Sequence, residues 1–412
     1  MTPEEVASAA LACPSLVRAI RLAEWVGGSR ELTSTGVLRP AVAVQACQAL
    51  GIALPPGKLR SARDVADLNE AWEVAVAANL VRVAANRAAA TPDAPVLARV
   101  ADGTAELGPE SAERIALAWL NGAAVPLGFP GNPCGECLSV LHALRESAAP
   151  VSLNDLVSAV IADAGAGAAP SLFDALGTYV CPDCGQRHSA PTAGVPGLGD
   201  VIDGRALELA EHATGAVHDL VQFGAAAIGP GRTPGGAVTL TPLGRLLAES
   251  VLHSVSPAAD VAAADLIESV AWLPPAVARV AAVPWLAARN PVAAVGELLA
   301  FAESFDGPML RFIAIEIARS VGSDGAPAWR QAAKRPGFGA YARQWLTSQG
   351  EPVTADDRDE VWLLADTVAQ VINKVSGGLE ALVLAAALRE LTGGDFAGHI
   401  ADIRDCGHPK AA

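Results

Sequence analysis

Apolar residues recur along most of this chain at intervals of three and four, the spacing of one helical face. PSLVRAIRLAEWVGG, from Pro14, carries the pattern and ends in a glycine pair suited to a C-cap; LRPAVAVQACQALGI, from Leu38, carries it up to Gly51. Each predicts an amphipathic helix. A third stretch, ARDVADLNEAWEVAVAAN, sets Val65, Leu68, Trp72 and Val76 at helical spacing. It then switches abruptly to the run Leu80, Val81, Arg82, Val83, which predicts a strand directly after the helix. A second short strand is expected over PVLARV, from Pro95.

The theme recurs downstream. CLSVLHALRES and VSLNDLVSAVIADAG predict helices, the second with Ser152 three residues ahead of Asp155, close to a capping-box pattern. RALELAEHATGAVHDLVQFG then leads into a strand-like AAAIG, a Gly/Pro-rich tip PGRTPGG, and AVTLT. PLGRLLAESVLHSV follows, with Pro242 at a natural first helical position after Thr241. NEAWEVAVAANLVRV and TGAVHDLVQFGAAAI therefore share one design: a long helix runs into a strand through a small residue. They are expected to be related modules.

From about residue 258 the pattern is helical throughout. NPVAAVGELLAFAESF, PMLRFIAIEIARSVG and APAWRQAAKRPGFGAYARQWLTSQG are separated by short Gly-Pro and Gly-Ser-Asp breaks, and VWLLADTVAQVINKV and LEALVLAAALRELTG extend the series. Three blocks are expected: 1–125, 126–257 and 258–412.

Helix, turn, helix and a two-stranded ribbon is the order of a winged-helix module. The first two blocks resemble bacterial winged-helix modules in that order. LTPLGRLLAE resembles the junction from wing to last helix over about a dozen residues. The third block resembles HEAT-type repeats, in which stacking supplies the core that no single repeat can bury. A non-repetitive bundle accounts for the same spacing. The expected fold class is mainly α with small β-ribbons, as tandem winged-helix domains followed by a HEAT-like repeat or bundle.

Composition narrows the setting. At 412 residues, 51% hydrophobic and 18% charged, the chain exceeds one ordinary core and is far from a disordered composition. It has no uninterrupted apolar run of about 18 residues, so no membrane span is expected. Glu4 and Glu5 stand where a signal peptide carries positive charge. A cytoplasmic location is the expectation, and it agrees with the cysteine usage.

Cys134-Gly-Glu-Cys137 and Cys181-Pro-Asp-Cys184-Gly are the sharpest chemical signals. Pro/Gly turns let paired thiolates converge on one tetrahedral ion while backbone amides stabilise the sulfur charge. CPDCG resembles the knuckle of zinc ribbons. The four cysteines are expected to hold a structural zinc, with His188, four residues after Cys184, as an alternative ligand. The 43 residues between the pairs exceed ordinary ribbon spacing of about 15–20, so the fold would have to unite them. A redox dithiol and unligated thiols are the competing readings. A four-thiolate site would leave no open position for catalysis.

Catalytic patterns are missing: the sequence contains no GxxxxGK[ST], GxSxG or HExxH. GPGRTPGG has the glycines of a phosphate loop but not its lysine, and it falls where a wing tip is expected. A non-catalytic regulatory protein that binds a macromolecule is the expected class, the partner being DNA or a transcription-related protein assembly.

Charge bears on that choice. The net charge is −15. Residues 62–79 set Arg63 against Asp64, Asp67, Glu70 and Glu73, a net of −3; residues 205–222 set Arg205 against Glu208, Glu211 and Asp219, a net of −2. Anionic helices are poor major-groove readers. Cations do cluster elsewhere and are the candidate partner-binding residues: Lys58, Arg60 and Arg63 before the third helix, Arg82 and Arg232 on the ribbons, and Arg330, Lys334, Arg335 and Arg343. The last four interleave with Trp329, Phe338, Tyr341 and Trp345, a mixture that suits phosphates, single-stranded bases or an acidic protein, or a plain aromatic core. In a homodimer, wing and backbone contacts would still offer DNA an anchor. A protein-binding scaffold with structural zinc and no DNA binding is the alternative.

Overall fold

The computed structural model describes residues 1–129, 133–166, 178–180, 187–189, 198–229, 236–305 and 307–354, and beyond them 356, 358–359, 361–363, 365–366, 369 and 408. The protein is mainly α-helical with small antiparallel sheets. It forms two compact units: 1–157 with 212–251, and 158–211 with 252–412. The first expected block and residues 212–251 of the second thus belong to one unit.

The first unit opens with α1 (Pro3–Leu11), whose start is fixed by reciprocal capping between Thr2 and Glu5. Then follow α2 (Pro14–Val26), β1 (Arg30–Glu31), α3 (Pro40–Leu50), α4 (Ala66–Ala77), β2 (Val81–Ala84), β3 (Arg87–Ala90), α5 (Ala94–Ala101) and α6 (Pro109–Ala123). Gly51 ends α3 in the left-handed region, at φ 68°. The three strands order as β1-β3-β2, all antiparallel.

PVLARV is helix α5, not the expected second strand. The reason is the turn at Ala85–Asn86, where both residues take positive φ (46° and 59°). Two such residues close a hairpin tightly, so the ribbon is complete by Ala90. Pro95 then falls in the first turn of a helix whose Leu97, Ala98 and Val100 are buried.

Next come α7 (Gly135–Glu146), β4 (Val151–Ser152) and α8 (Leu153–Ala166), with the Ser152 hydroxyl donating to Asp155 and accepting from its N–H. The hairpin β5 (Thr178–Val180) and β6 (Arg187–Ser189) precedes α9 (Leu198–Gln222). Then β7 (Ala226–Gly229), β8 (Ala237–Leu240) and α10 (Pro242–Ser254) complete this part. The order β4-β8-β7 repeats that of the first sheet.

The repetition extends to single residues. Asn79 and Gly224 end their helices with φ of 55° and 65°. The next residue's N–H, on Leu80 or Ala225, reaches back five positions to Ala75 or Leu220. Thr91 and Thr241 close the two hairpins, each donating backbone N–H and hydroxyl to that same Leu80 or Ala225 carbonyl. Each threonine is followed by proline. Strand register matches too: Arg30 faces Ala88 as Val151 faces Val238. Here α2 packs on β3, and α7 on β8.

One core joins these parts of the unit. Leu16, Ile20 and Leu22 of α2 and Leu68 of α4 are buried with Ile115 and Trp119 of α6. α1 packs on α6, and α2 packs against α4 and α5. The Trp119 indole N–H donates to the Phe223 carbonyl at 2.9 Å, and the Cys13 thiol donates to the same oxygen at 3.0 Å. Burial pushes that thiol up to about 11, although the contact with Trp119 opposes the shift. α10 approaches closely because Gly244 has no side chain: a Cβ there would lie 1.9 Å from the Ala225 carbonyl oxygen.

The second unit contains β5, β6 and residues 198–211 of α9, and then α11 (Ala263–Val270), α12 (Pro275–Ala281), α13 (Val283–Ala287), α14 (Pro291–Ser304), α15 (Pro308–Ser320), α16 (Ala326–Ala332) and α17 (Gly339–Ser348). The Asn290 side chain caps α14 by accepting from Val292 and Ala293. α14 packs against α15 and α16, α12 against α15, and α16 against α17. LEALVLAAALRELTG lies outside the described residues. No single described helix is long and apolar enough to cross a membrane.

Candidate partner interface and metal centre

The helix that precedes each ribbon is the natural candidate for contact. On α4 the buried side is Leu68, Ala71, Trp72, Val74 and Ala75. The exposed side is Asp67, Glu73, Val76 and, just beyond the helix, Asn79, with Asn69 donating to Glu73 at 2.9 Å. Asp67 faces Arg18 of α2 at 3.6 Å, and Glu70 turns toward α2 to accept from Ser15. No lysine or arginine lies on α4 itself.

In the described part of α9 the exposed residues are Glu211, His212, Thr214, Gly215 and His218. Half-buried Asp219 is raised above the usual carboxylate value by burial, with His218 opposing and Glu70 adding to the shift. This surface also carries no lysine or arginine.

The ribbons present edge strands, because β2 and β7 each pair on one side only among the described residues. Val83 and Ile228, at matching register positions, are exposed aliphatic side chains on those edges.

The expected cationic residues scatter. Lys58, Arg60 and Arg63 are exposed around the start of the α4 segment, where Asp64 accepts from the N–H groups of Arg60 and Ser61. Arg82 is exposed on β2. Arg232 lies outside the described residues.

In the second unit most of the cluster is spent on internal pairs. Arg330 grips Glu351 through two hydrogen bonds of 2.7 and 2.8 Å. Arg335 pairs with Glu303. Arg343 grips Asp359 at 2.5 and 2.6 Å. Lys334 is exposed, outside these three pairs. The aromatic residues between them are core: Trp329 and Trp345 stack at 4.9 Å, and Phe338, Tyr341 and Trp345 are each at most 7% exposed. They offer no platform to a base.

Cys134 is the N-cap of α7, and its sulfur accepts from the Cys137 N–H at 3.3 Å. The hydrogen bond from the Cys137 thiol, outweighing burial, draws Cys134 down to about 7 and drives Cys137 well up. An N–H···S contact of this kind is how a knuckle steadies thiolate charge, so the pair fits half of a thiolate metal site. Cys181 and Cys184 lie outside the described residues. Strands β5 and β6 on either side of them pair with Val180 opposite Arg187, and His188 stands opposite Tyr179. Among the described residues no three His, Cys, Asp or Glu side chains are grouped to hold a metal.

A cluster that the sequence did not signal lies in the second unit. The Asp366 carboxylate is fully buried and accepts from Arg311, from the Tyr341 hydroxyl at 2.5 Å and from His408 Nε2 at 2.8 Å. Arg311 also donates to the carbonyls of Ala302 and Phe305.

No protein-family model, no curated protein and no solved structure matches this chain.

Proposed function

We propose that the protein is a non-catalytic scaffold that binds a protein partner through tandem winged-helix modules and a HEAT-like helical unit. The order helix, strand, helix, helix, hairpin, with the last strand in the middle of each sheet, supports the winged-helix reading of both modules. The observation that carries the choice of partner is the exposed side of α4: Asp67, Glu73 and Val76, with no lysine or arginine on the helix itself. Such a surface repels a phosphate backbone and suits a basic, partly apolar protein face. In the HEAT-like unit, Arg330, Arg335 and Arg343 are neutralised by their own carboxylates.

A DNA-binding regulator is the second reading, favoured by exposed Lys58, Arg60 and Arg63 beside α4 and Arg82 on the ribbon. A structural zinc on the paired cysteines completes the proposal, its role being to stabilise folding rather than to act on a substrate.

Affinity capture from native cells, with nuclease-treated and untreated samples, tests the partner. Under this reading a partner survives nuclease and is lost from the Asp67→Lys, Glu73→Lys variant. Loss of every partner on nuclease treatment contradicts it. Elemental analysis of tag-free protein tests the metal, with near one zinc per chain expected and less than about 0.2 excluding a structural ion.

A further inference from the structure

Of the eight tryptophans in the chain, Trp272 is the one that faces solvent. Six are buried, and Trp25 is half-buried under the Arg30 guanidinium, which lies 4.4 Å from its ring centroid. Trp272 is 46% exposed, although the next residue, Leu273, belongs to the core. It follows α11, whose helical path continues through Ala271 at φ −63° and ψ −24°. Asp265, Glu268 and Trp272 therefore stand at positions i, i+3 and i+7 of one helical face. Both carboxylates are exposed and take part in no ion pair among the described residues. Further along the unit Glu297, Glu303, Glu316 and Glu351 pair with Arg289, Arg335, Arg279 and Arg330. The α11 surface is thus an aromatic plate with two unmatched negative charges beside it.

The first unit displays the complementary chemistry. In the connection from α3 to α4, residues 53–58 are all exposed. Among the described residues no backbone group of 53–59 is hydrogen-bonded within the chain. Leu54 and Pro55 each precede a proline, which holds both in the extended or polyproline region. Leu54-Pro55-Pro56 is thus a stiff ridge with open carbonyls, and Leu54 is 41% exposed. Gly57 then turns the chain at φ 99°. Lys58 and Arg60 follow, exposed and likewise in no ion pair among the described residues. A polyproline ridge loses little conformational freedom on docking, and an aromatic surface is what receives it.

We propose that residues 53–60 of one copy of this chain dock on the Asp265, Glu268 and Trp272 surface of a second copy, so that the protein self-associates. The Trp272 ring takes Leu54 and the two prolines, while the carboxylates take Lys58 and Arg60. Two exposed cations meet two exposed anions, and the apolar ridge meets the exposed tryptophan. The contact uses neither the exposed side of α4 nor the ribbons, so its failure would leave the partner assigned to them untouched.

Sedimentation velocity of the nuclease-treated full chain over a concentration series tests this, and the sedimentation coefficient is expected to rise with concentration. Reversing the arm (Lys58→Glu with Arg60→Glu) or the surface (Asp265→Lys with Glu268→Lys) weakens association by at least about tenfold, the loss of two exposed pairs. Combining all four substitutions restores it, because opposite charges meet again. Trp272→Ala weakens it by about thirtyfold or more, as loss of a central aromatic anchor does. A fluorescein-labelled peptide of residues 52–61 binds the full chain and fails against Trp272→Ala. Thermal unfolding serves as the folding control and stays unchanged, since every altered side chain is exposed. A sedimentation coefficient independent of concentration, a combined reversal that fails to restore association, or peptide binding that survives Trp272→Ala overturns the proposal.

Discussion

Removing both donors from the Phe223 carbonyl gives the sharpest test of how the first unit is held together. Trp119 is fully buried, and its N–H shares that oxygen with the Cys13 thiol. Trp119→Phe alone loses one hydrogen bond, about 0.5–1.5 kcal/mol, together with the cost of a smaller ring in a filled site, about 1 kcal/mol. Cys13→Ala alone loses a weaker donor and the sulfur volume, about 1 kcal/mol. In either single variant the carbonyl keeps a partner. In the double variant it keeps neither, and a buried polar group without a partner costs about 1–3 kcal/mol. The double variant is therefore expected to exceed the sum of the singles by about 1–2 kcal/mol. Urea unfolding read by hydrogen exchange in peptides covering α6 and residues 220–229 isolates this unit from the other. Additivity within about 0.5 kcal/mol would refute the reasoning, because independent sites add to that precision.

Three further outcomes are expected. Gly244→Ala drives a methyl into the Ala225 carbonyl and costs about 2 kcal/mol or more, whereas Gly215→Ala, with open space around it, stabilises α9 by about 0.5–1 kcal/mol; thermal unfolding compares them. Ala85→Asn with Asn86→Gly suits a turn whose two residues both have positive φ, and is expected to stabilise the β2–β3 hairpin by about 1 kcal/mol in the same assay. Burial alone raises the Asp366 carboxyl, but the hydrogen bond from His408, the Arg311 charge and the Tyr341 hydroxyl together hold it below its usual 3.8. A depressed carboxylate stabilises the fold fully above its unfolded value and loses that contribution as pH falls toward the folded one. Stability of the second unit should thus fall as pH drops below about 4, and that fall should be smaller in Asp366→Asn, which has no carboxyl there to protonate, as hydrogen exchange across a pH series would read.

Helices bounded by strong signals were legible in the sequence. Pro14 and the glycine pair bracket α2, Gly51 closes α3, and Thr241-Pro242 opens α10, because capping chemistry is local. The likeness of the two helix-to-strand junctions was also legible, since Asn79 and Gly224 are among the few residue types that tolerate positive φ. Strands β1 and β4 were not: two residues carry no period, and both exist only through pairing with a distant hairpin. Ala85 hid its turn, because alanine ordinarily avoids the left-handed region. The basic and aromatic residues at 329–345 could equally have made a stacking surface or a core. Burial of Trp329 and Trp345 decides for core, and only tertiary packing contains that information. The Asp366 cluster draws on Arg311, Tyr341 and His408, too far apart in sequence for any motif to join them.

On the proposed reading the exposed helices meet protein and not a phosphate backbone. Fluorescence polarisation of labelled genomic duplexes against the full chain, over a salt series starting at about 50 mM, tests it most directly. No binding at the lowest salt is the expected result. Binding at that salt which falls steeply as salt rises, and which weakens in Lys58→Ala, Arg60→Ala, Arg63→Ala, would contradict it.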